Sequence, residues 1–426
     1  MAVSQDVTEP SRAAQTTSDG RGITASLVQL LQSLTAQADD IRKDPAAAKQ
    51  LLEASTALTN ALQRPDLVIA DLAFSGCRYA CVRVGIELGL FDTLATAQKP
   101  LSLSELAERC HNADPQLVLR IIRTLVGMGF AADARSESGS NGFTATAVTR
   151  QMTIPSAKAG LIFHFDDSFP VIANAGPFFR QNGFKVPNGD ERGLFQFTHD
   201  TDEHVYSYWS RDPKIMANFN IFMQGYFGGP ANTYPTDWFP FDKVCFDGFD
   251  QSQGEYVWVD IGGGKGYHSQ ELVQRYPASQ GKFVVQDRDV VLDRTGDDVV
   301  LASRIEKMPY DFFEEQPIKG ARVYCLENVL HNWTDAHCSK ILRRVSEAMT
   351  PGYSKLIIGN VIIPDTNAPL MQSGLDASML LVFSGAQRGK QQWSELLAGA
   401  GLVVTKFWDP PSDTGDNGII EAELRF

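Results

Sequence analysis

The chain has 426 residues, of which 43% are hydrophobic and 21% are charged, values typical of a folded globular protein. This length exceeds what one hydrophobic core usually organises, so we expect at least two domains. The formal net charge of −13 disfavours a nucleic-acid partner, because phosphate binding requires a basic surface.

The amino-terminal part predicts a disordered tail followed by a helical arm. Residues 1–22 are rich in Ser, Thr, Gln and Asp and lack the apolar run of a signal peptide, so we expect a tail there. Leucines recur at helical spacing between residues 27 and 34, which predicts an amphipathic arm over residues 23–65. We interpret the apolar face of this arm as a packing or dimerisation surface.

Residues 66–150 predict a compact winged-helix unit. A Ser-x-x-Glu box at Ser102 predicts the capped start of one helix, and Asp114-Pro115 predicts the start of the next. A Gly/Ser-rich turn then separates two short extended pieces that form the wing. The helices lack the exposed basic face of a DNA reader, so we expect a dimerisation or substrate-covering role.

Residues 151–245, here called the aromatic segment, are expected to be mostly helical. Their density of Phe, Tyr and Trp suits the wall of a pocket for a planar, hydrophobic ligand. From residue 246 the pattern changes to alternating strands and helices, which predicts a doubly wound, mainly parallel sheet. The predicted strands are Tyr256–Ile261, Lys282–Gln286, Arg322–Leu326, Ser354–Ile358, Leu402–Lys406 and Gly418–Arg425.

The strongest chemical signal is a glycine loop that follows the first of these strands. It is Asp260-x-Gly262-x-Gly264-x-Gly266, with a helix predicted directly after it. Glycines let the backbone adopt positive φ and approach a ligand closely. The third glycine of the dinucleotide fingerprint falls on Tyr267, and no Lys-Ser/Thr pair ends the loop, so NAD and P-loop patterns both fail. An acidic residue, Asp287, follows the next strand about 20 residues on, where a carboxylate binds a ribose diol.

Two further motifs make the sequence recognisable, Asp311-Phe312-Phe313 and Leu330-His331-Asn332-Trp333. With the glycine loop and Asp287, they resemble the class I S-adenosylmethionine-dependent O-methyltransferases of the caffeate and flavonoid type, in particular the fungal secondary-metabolism branch, which includes methyltransferase-like pericyclases. The resemblance implies an α/β fold with a Rossmann-like cofactor domain over residues 246–426 and an N-terminal helical winged-helix dimerisation domain. It implies S-adenosylmethionine (SAM) as cofactor, a homodimer and a hydrophobic aromatic or enolic substrate.

The resemblance also assigns roles to single residues. Asp260, Gly262, Gly264, Asp287, Asp311 and Phe312 would surround the cofactor. His331 would be the base that removes a phenol or enol proton, which fits an imidazole that titrates near neutral pH.

The sequence departs from the family around this histidine. The family usually has carboxylates where this chain has Asn332, Asn360 and Gln387, and often has Lys or Arg where it has Glu327. Carboxylates stabilise the imidazolium that forms when histidine takes a proton, and amides supply no such charge. We therefore expect His331 to be a weaker base than in its relatives, which suits an acidic phenol or enol.

The same amides support a second hypothesis. A SAM-binding pericyclase or dehydratase on this scaffold would polarise a carbonyl with neutral donors, and His331, Asn332, Asn360 and Gln387 would provide them. His164, in the aromatic segment, is a further candidate donor. A third hypothesis, a non-catalytic winged-helix regulator, is disfavoured by the acidic charge and the intact glycine loop, and a gel shift on duplex DNA would revive it.

Metal, membrane and disulfide chemistry are not expected. His164-x-Asp166 matches only two residues of a metal-binding triad, and His331 and His337 do not share a helix face. No stretch approaches the about 18 apolar residues that span a bilayer. The six cysteines have no zinc-ligand spacing, which indicates a reduced, cytoplasmic compartment.

Overall fold

The structure is a computed structural model that describes residues 17–135, 141–228, 235–292, 301–411 and 417–425. It divides into two compact units, residues 1–77 and residues 78–426, and each is described by itself. No helix in the described part of the chain is both long enough and apolar enough to cross a membrane.

The first unit is helical. Its helices are α1 Thr17–Ala36, α2 Ala38–Ile41, α3 Pro45–Leu62 and α4 Pro65–Ala73. The arm therefore begins at Thr17, and residues 17–22, which we expected in the disordered tail, belong to α1. The polar residues there suit the first turns of a helix, where Ser, Thr and Asp are favoured. The rest of the predicted tail lies outside the described residues.

A winged-helix arrangement follows, as predicted. Its elements are α5 Ser75–Glu87, α6 Leu90–Thr96, β1 Leu101–Ser102, α7 Leu103–Arg109, α8 Pro115–Gly127, β2 Ala132–Arg135, β3 Asn141–Thr144 and α9 Ala147–Gln151. The strands form an antiparallel sheet in the order β1-β3-β2. Ser102 caps α7 through a capping box with Glu105, and the Asp114 carboxylate caps α8, so both predicted helix starts are confirmed.

The aromatic segment is mostly helical, as predicted. Its helices are α10 Pro155–Phe163, α11 Phe169–Ile172, α12 Ala175–Gln181, α13 Leu194–His199, α14 Val205–Trp209 and α15 Pro213–Gly228. Two π-helical turns, His164–Ser168 and Asp242–Phe246, interrupt or follow them. Cys245 and Phe246 of the second turn pack with buried residues of the sheet. Buried side chains of helices α10 to α14 form one cluster with Val382, which lies in a later π-helical turn, Met379–Phe383. This cluster joins the aromatic segment to the carboxyl-terminal domain.

The carboxyl-terminal domain is a Rossmann-like α/β fold. Its seven-stranded sheet has the order β6-β5-β4-β7-β8-β10-β9. The strands are β4 Tyr256–Ile261, β5 Lys282–Asp287, β6 Ile305–Pro309, β7 Val323–Glu327, β8 Lys355–Asn360, β9 Leu402–Trp408 and β10 Gly418–Leu424. The helices are α16 Tyr267–Arg275, α17 Asp289–Leu292, α18 Asp335–Ser346, α19 Leu370–Ser378 and α20 Lys390–Ala398.

Strands β4 to β8 pair in parallel, and β10 runs antiparallel between β8 and β9. All six predicted strands are present, and β6 was missed because its five residues, Ile305–Pro309, contain two adjacent charges and a proline and have neither an apolar run nor an alternating pattern. Parallel strands end at one edge of a sheet, which is where ligands bind in open α/β sheets. The carboxyl ends of β4, β5, β6, β7 and β8 therefore define the place to look for a site.

The capping box at α7 gives a direct test of how this winged-helix unit is stabilised. We expect Ser102→Ala to lower the free energy of unfolding by about 1 kcal/mol, because the Glu105 backbone N–H loses its acceptor. The matched control is Ser104→Ala, an exposed residue of the same helix, which should stay within about 0.5 kcal/mol. Urea unfolding measures both, and equal effects would contradict the capping assignment.

Candidate active site

The glycine loop after β4 has the backbone that its sequence predicts. Gly262, Gly264 and Gly266 have φ values of 73°, 57° and 79°, a region that favours glycine. A Cβ on Gly262 would lie 2.8 Å from Cγ2 of Val329, so a side chain there would collide with the turn that follows β7. The loop thus approaches that turn as closely as its backbone allows.

Asp260 lies beneath the loop. Its side chain is 2% exposed, and its carboxylate accepts a hydrogen bond of 2.7 Å from the Ser269 hydroxyl of α16. A Cβ on Gly263 would come within 2.5 Å of the Asp260 Cγ. Burial raises the pKa of Asp260 to about 6, although the nearby His268 and the Ser269 hydrogen bond oppose this rise. Asp260 therefore ties the loop to the start of α16.

A buried ion pair, His268 with Glu327, lies beside Asp260. Burial disfavours the charged imidazole, but Glu327 and Asp260 outweigh it and raise the pKa of His268. Glu327 ends β7, and its carboxylate faces this imidazole. His268 thus compensates the negative charge of Glu327, which allows this carboxylate to be buried.

Asp287 ends β5 and faces the glycine loop. Its Oδ2 accepts a hydrogen bond of 2.9 Å from the Gly264 N–H, and its Oδ1 accepts one of 2.7 Å from Arg288 N–H. A carboxylate has about four acceptor positions, so two remain for a diol. Burial raises the pKa of Asp287, and the two backbone N–H groups oppose that rise.

Asp311 and Phe312 follow β6 at the same edge. The Asp311 carboxylate accepts a hydrogen bond of 3.0 Å from the Phe313 N–H, which fixes the turn. The Phe312 ring meets Trp333 edge-on at a centroid distance of 5.6 Å. An adenosine cofactor with an amino-acid tail requires an aromatic face, a carboxylate that can bind a diol, and a glycine loop. The residues present therefore fit SAM.

The second group of predicted residues meets at His331. This residue lies in a short 3₁₀ turn, Leu330–Asn332, after β7 and is 9% exposed. Its Nδ1 is 2.8 Å from Asn360 Nδ2 and 3.4 Å from Gln387 Nε2. Both described hydrogen bonds of the ring involve Nδ1. The structure therefore brings His331, Asn360 and Gln387 together, as the sequence predicts.

The environment of His331 favours the neutral imidazole. Burial, and then the positive charge of Arg388, lower the pKa of His331 to about 4. Within the described residues, no carboxylate hydrogen-bonds to the ring. The ring is therefore uncharged at neutral pH, and it is held by two amides.

Arg388 is a site residue that sequence reasoning missed. It is 2% exposed, and its guanidinium donates to the carbonyls of Leu330 at 3.1 Å and Trp333 at 2.9 Å, one on each side of the His331 turn. It also pairs with Asp335 at 2.7 Å. The only sequence signal was an arginine next to Gln387, and arginines are usually exposed.

Two predicted residues lie apart from the His331–amide group. Asn332 donates from Nδ2 to the Asn328 carbonyl at 3.3 Å, which closes the turn. His164 lies between the rings of Phe163 and Phe222, at centroid distances of 5.4 Å and 5.3 Å. Neither has a described contact with the His331 ring, so their catalytic roles stay predictions.

The metal-like pattern at His164-x-Asp166 is explained by an ion pair, since Asp166 binds Arg83 at 2.8 Å. Among the described residues, no group of three or more acidic, His or Cys side chains could hold a metal ion.

His204 is another residue that sequence reasoning missed. Its ring stacks on Trp333 at a centroid distance of 4.5 Å and an interplanar angle of 14°. Burial, followed by the charges of Arg288 and His337, lowers the pKa of His204 to about 4. This contact places the aromatic segment directly against the edge that carries the cofactor residues.

Two family models match the chain. The O-methyltransferase domain matches residues 236–403, and the O-methyltransferase dimerisation domain matches residues 70–154. The O-methyltransferase penC of Penicillium thymicola is 34% identical over 397 residues, which cover 93% of this chain and 96% of penC.

Solved structures share the fold. A structure of LepI in complex with SAM has a TM-score of 0.81 at 23% identity and covers 96% of this chain and 100% of its own. A structure described as a pericyclic reaction enzyme has a TM-score of 0.81 at 24% identity and covers 95% and 100%. At these identities the likeness shows the fold alone.

Asp287 offers the clearest test of the cofactor site. We expect Asp287→Asn to weaken SAM binding by about 10- to 100-fold, because a hydrogen bond to a charged group contributes about 1.5–3 kcal/mol. The control is Asp289→Asn, two residues on and exposed, which should leave the dissociation constant unchanged. Isothermal titration calorimetry measures both, and full affinity in Asp287→Asn would remove this residue from the site.

Proposed function

The chain belongs to the O-methyltransferase family, and we propose that it methylates an oxygen of a hydrophobic aromatic or enolic secondary metabolite, with SAM as donor. One observation carries this proposal. The turn that holds His331 is the turn on which the glycine loop packs, since Gly262 meets Val329 two residues before His331. A reacting oxygen beside His331 would therefore lie next to the cofactor site.

The protein's part in the reaction is to position the substrate and the cofactor and to exclude water. SAM supplies an electrophilic methyl group, which needs only an aligned nucleophile about 3 Å away. Asp287 and the glycine loop would hold the cofactor. His331 would face the acceptor oxygen with Nε2, since Nδ1 is taken by Asn360 and Gln387.

The aromatic segment would supply the substrate wall. Phe163, Trp209 and Phe219 contact one another at centroid distances between 4.8 Å and 5.6 Å. Phe383, at the carboxyl end of the π-helical turn that precedes Gln387, joins them at 5.7 Å from Trp209. Because Phe163 and Trp209 are buried in this cluster, a planar apolar ligand would lie against the partly buried rings of Phe219 and Phe383. The charge of −13 supports a small-molecule substrate rather than a nucleic acid.

A second candidate function is a pericyclic or dehydrating reaction without methyl transfer. The observation that favours it is the set of uncharged groups around His331, since neutral donors polarise a carbonyl without taking a proton. One structural neighbour is described as a pericyclic reaction enzyme. We keep methyl transfer as the main proposal, because the family match and the relatives are O-methyltransferases.

Methyl-labelled SAM separates the two functions. Incubation with hydroxylated polyketide or pyridone compounds should place label in the product. A product of unchanged mass, or one that has lost water, with cofactor unconsumed, would establish the second function instead.

His331→Ala should reduce methyl transfer by at least about 10-fold while leaving SAM affinity intact, because His331 is expected to orient the acceptor oxygen and makes no described contact with the cofactor residues. The control is His111→Asn, an exposed histidine with φ of 59° that asparagine tolerates. Rates and calorimetry measure the two effects, and unimpaired methyl transfer by His331→Ala would exclude the residue from the mechanism.

We also propose a homodimer, located in the cytoplasm. The dimerisation model covers residues 70–154, and α4 exposes Ile69 and Leu72, each 72% exposed. Apolar side chains this exposed mark interaction surfaces when they cluster. The cytoplasmic location rests on six free cysteines, four of which are buried.

Light scattering should give about twice the chain mass of 46.8 kDa. The double variant Ile69→Glu with Leu72→Glu should shift the protein toward monomer, because charges at an apolar interface are costly. Val403→Glu, a partly exposed position on edge strand β9, is the control and should remain dimeric. A monomeric wild-type protein would contradict the proposal.

A further inference from the structure

We propose that the acceptor oxygen is already ionised near neutral pH, as in enols and phenols conjugated to a carbonyl, and that His331 binds this oxyanion by donating a hydrogen bond from Nε2. This inference rests on the proposed methyl transfer and names its substrate class. It replaces a proton-abstracting His331 with an anion-binding one. Asn360 and Gln387 are then positioning residues that select the tautomer of the ring.

The amides of Asn360 and Gln387 contact the His331 ring at Nδ1. Two amide nitrogens, Asn360 Nδ2 and Gln387 Nε2, face this atom at 2.8 Å and 3.4 Å. A rotated amide would present its oxygen to Nδ1 and select the other tautomer. With the nitrogens facing the ring, Nδ1 accepts and carries no proton. A neutral imidazole then holds its single proton on Nε2, which makes Nε2 a donor and leaves it no lone pair with which to act as a base.

The charges around the ring also disfavour a proton-abstracting His331. A proton taken from the substrate would create an imidazolium in a buried place beside Arg388, a like charge. The nearby carboxylates are engaged elsewhere: Asp335 pairs with Arg388, Asp376 accepts from the Gln387 backbone N–H at 2.8 Å, and Glu327 pairs with His268. None hydrogen-bonds to the His331 ring. This arrangement disfavours a cation at His331 and favours an anion next to it.

His331 and an ordinary phenol differ widely in pKa. Burial and Arg388 lower the pKa of His331 to about 4. An ordinary phenol, like the tyrosine side chain, has a pKa of about 10, so proton transfer to His331 would be strongly uphill. An oxygen that ionises below neutral pH needs no proton acceptor.

The reaction then balances without a protein base. The hydroxyl proton leaves to solvent before the chemical step. The oxyanion supplies the electron pair of the new O–CH₃ bond, and the pair of the broken S–CH₃ bond stays on sulfur. S-adenosylhomocysteine and the methyl ether are the products.

The experiment compares hydroxylated bicyclic aromatics of similar shape and different acidity, with 4-hydroxycoumarin as the acidic enol and 1-naphthol as the ordinary phenol. With methyl-labelled SAM, kcat/KM should be at least about 100-fold higher for the enol, the factor that a missing general base typically costs. The pH profile should follow the ionisation of the substrate alone. Equal rates for both compounds, or a further inflection from an enzyme group between about pH 6 and 8, would overturn the inference.

Binding gives a readout that does not depend on methyl transfer. The absorbance of bound 4-hydroxycoumarin should show a lower pKa than in free solution, because a donor and a nearby cation stabilise its anion. His331→Ala should abolish most of this shift. A bound enol with an unchanged or raised pKa would contradict the oxyanion site. Ionised binding without label transfer to any compound would instead count against methyl transfer and leave the oxyanion site standing.

Asn360→Asp tests the tautomer. A carboxylate can only accept, so Nδ1 must then carry the proton and Nε2 becomes a base. Turnover of 1-naphthol should rise at least about 10-fold relative to the enol, and an acidic limb should appear in its pH profile. An unchanged ratio would show that the amides do not set the role of His331.

Gln387→Glu repeats the test from the other amide, in case a buried carboxylate at position 360 prevents folding. Asn112→Asp is the matched control, because Asn112 is exposed and has a φ of 53° that aspartate also adopts. This control should leave both kcat/KM values and the pH profile unchanged.

Discussion

Gly262 and Val329 approach so closely that a Cβ on the glycine would lie 2.8 Å from the valine Cγ2. This approach joins the loop after β4 to the turn after β7, and those two strands are neighbours in the sheet. The cofactor residues lie on one side of this contact and His331 on the other. The distance between donor and acceptor sites is therefore set by the packing of the Gly262 backbone on the Val329 side chain, and close-packed interiors deform little.

Arg388 gives the His331 turn its rigidity and its charge at the same time. By donating to the carbonyls of Leu330 and Trp333, it holds both ends of the turn. The same guanidinium lowers the pKa of His331. With Arg388 and the amides of Asn360 and Gln387 around it, His331 is a weaker base but its ring and its turn stay in place. Such a site suits a substrate that arrives as an anion, or a reaction that needs only hydrogen-bond donors.

The π-helical turn Met379–Phe383 connects the two halves of the site. Val382 packs into the core of the aromatic segment, and the backbone three residues further on touches the His331 turn, where a Cβ on Gly385 would lie 2.0 Å from the His331 carbonyl oxygen. The His204–Trp333 stack makes a second connection at the cofactor side. The aromatic segment is therefore attached to the carboxyl-terminal domain at both the His331 turn and the cofactor side.

The sequence by itself determined the fold class and, through its resemblance to a known family, the cofactor and the amides Asn360 and Gln387 beside His331. Glycine spacing, strand periodicity and the Leu-His-Asn-Trp motif are local patterns, and parallel strands then place their ends at one edge without further information. Only the tertiary structure decided that Asp260 lies beneath the loop, that Asn332 turns to Asn328, and that Arg388 and His204 belong to the site. These features depend on packing between segments far apart in the chain, and side-chain direction, burial and tautomer have no periodic signature in the sequence.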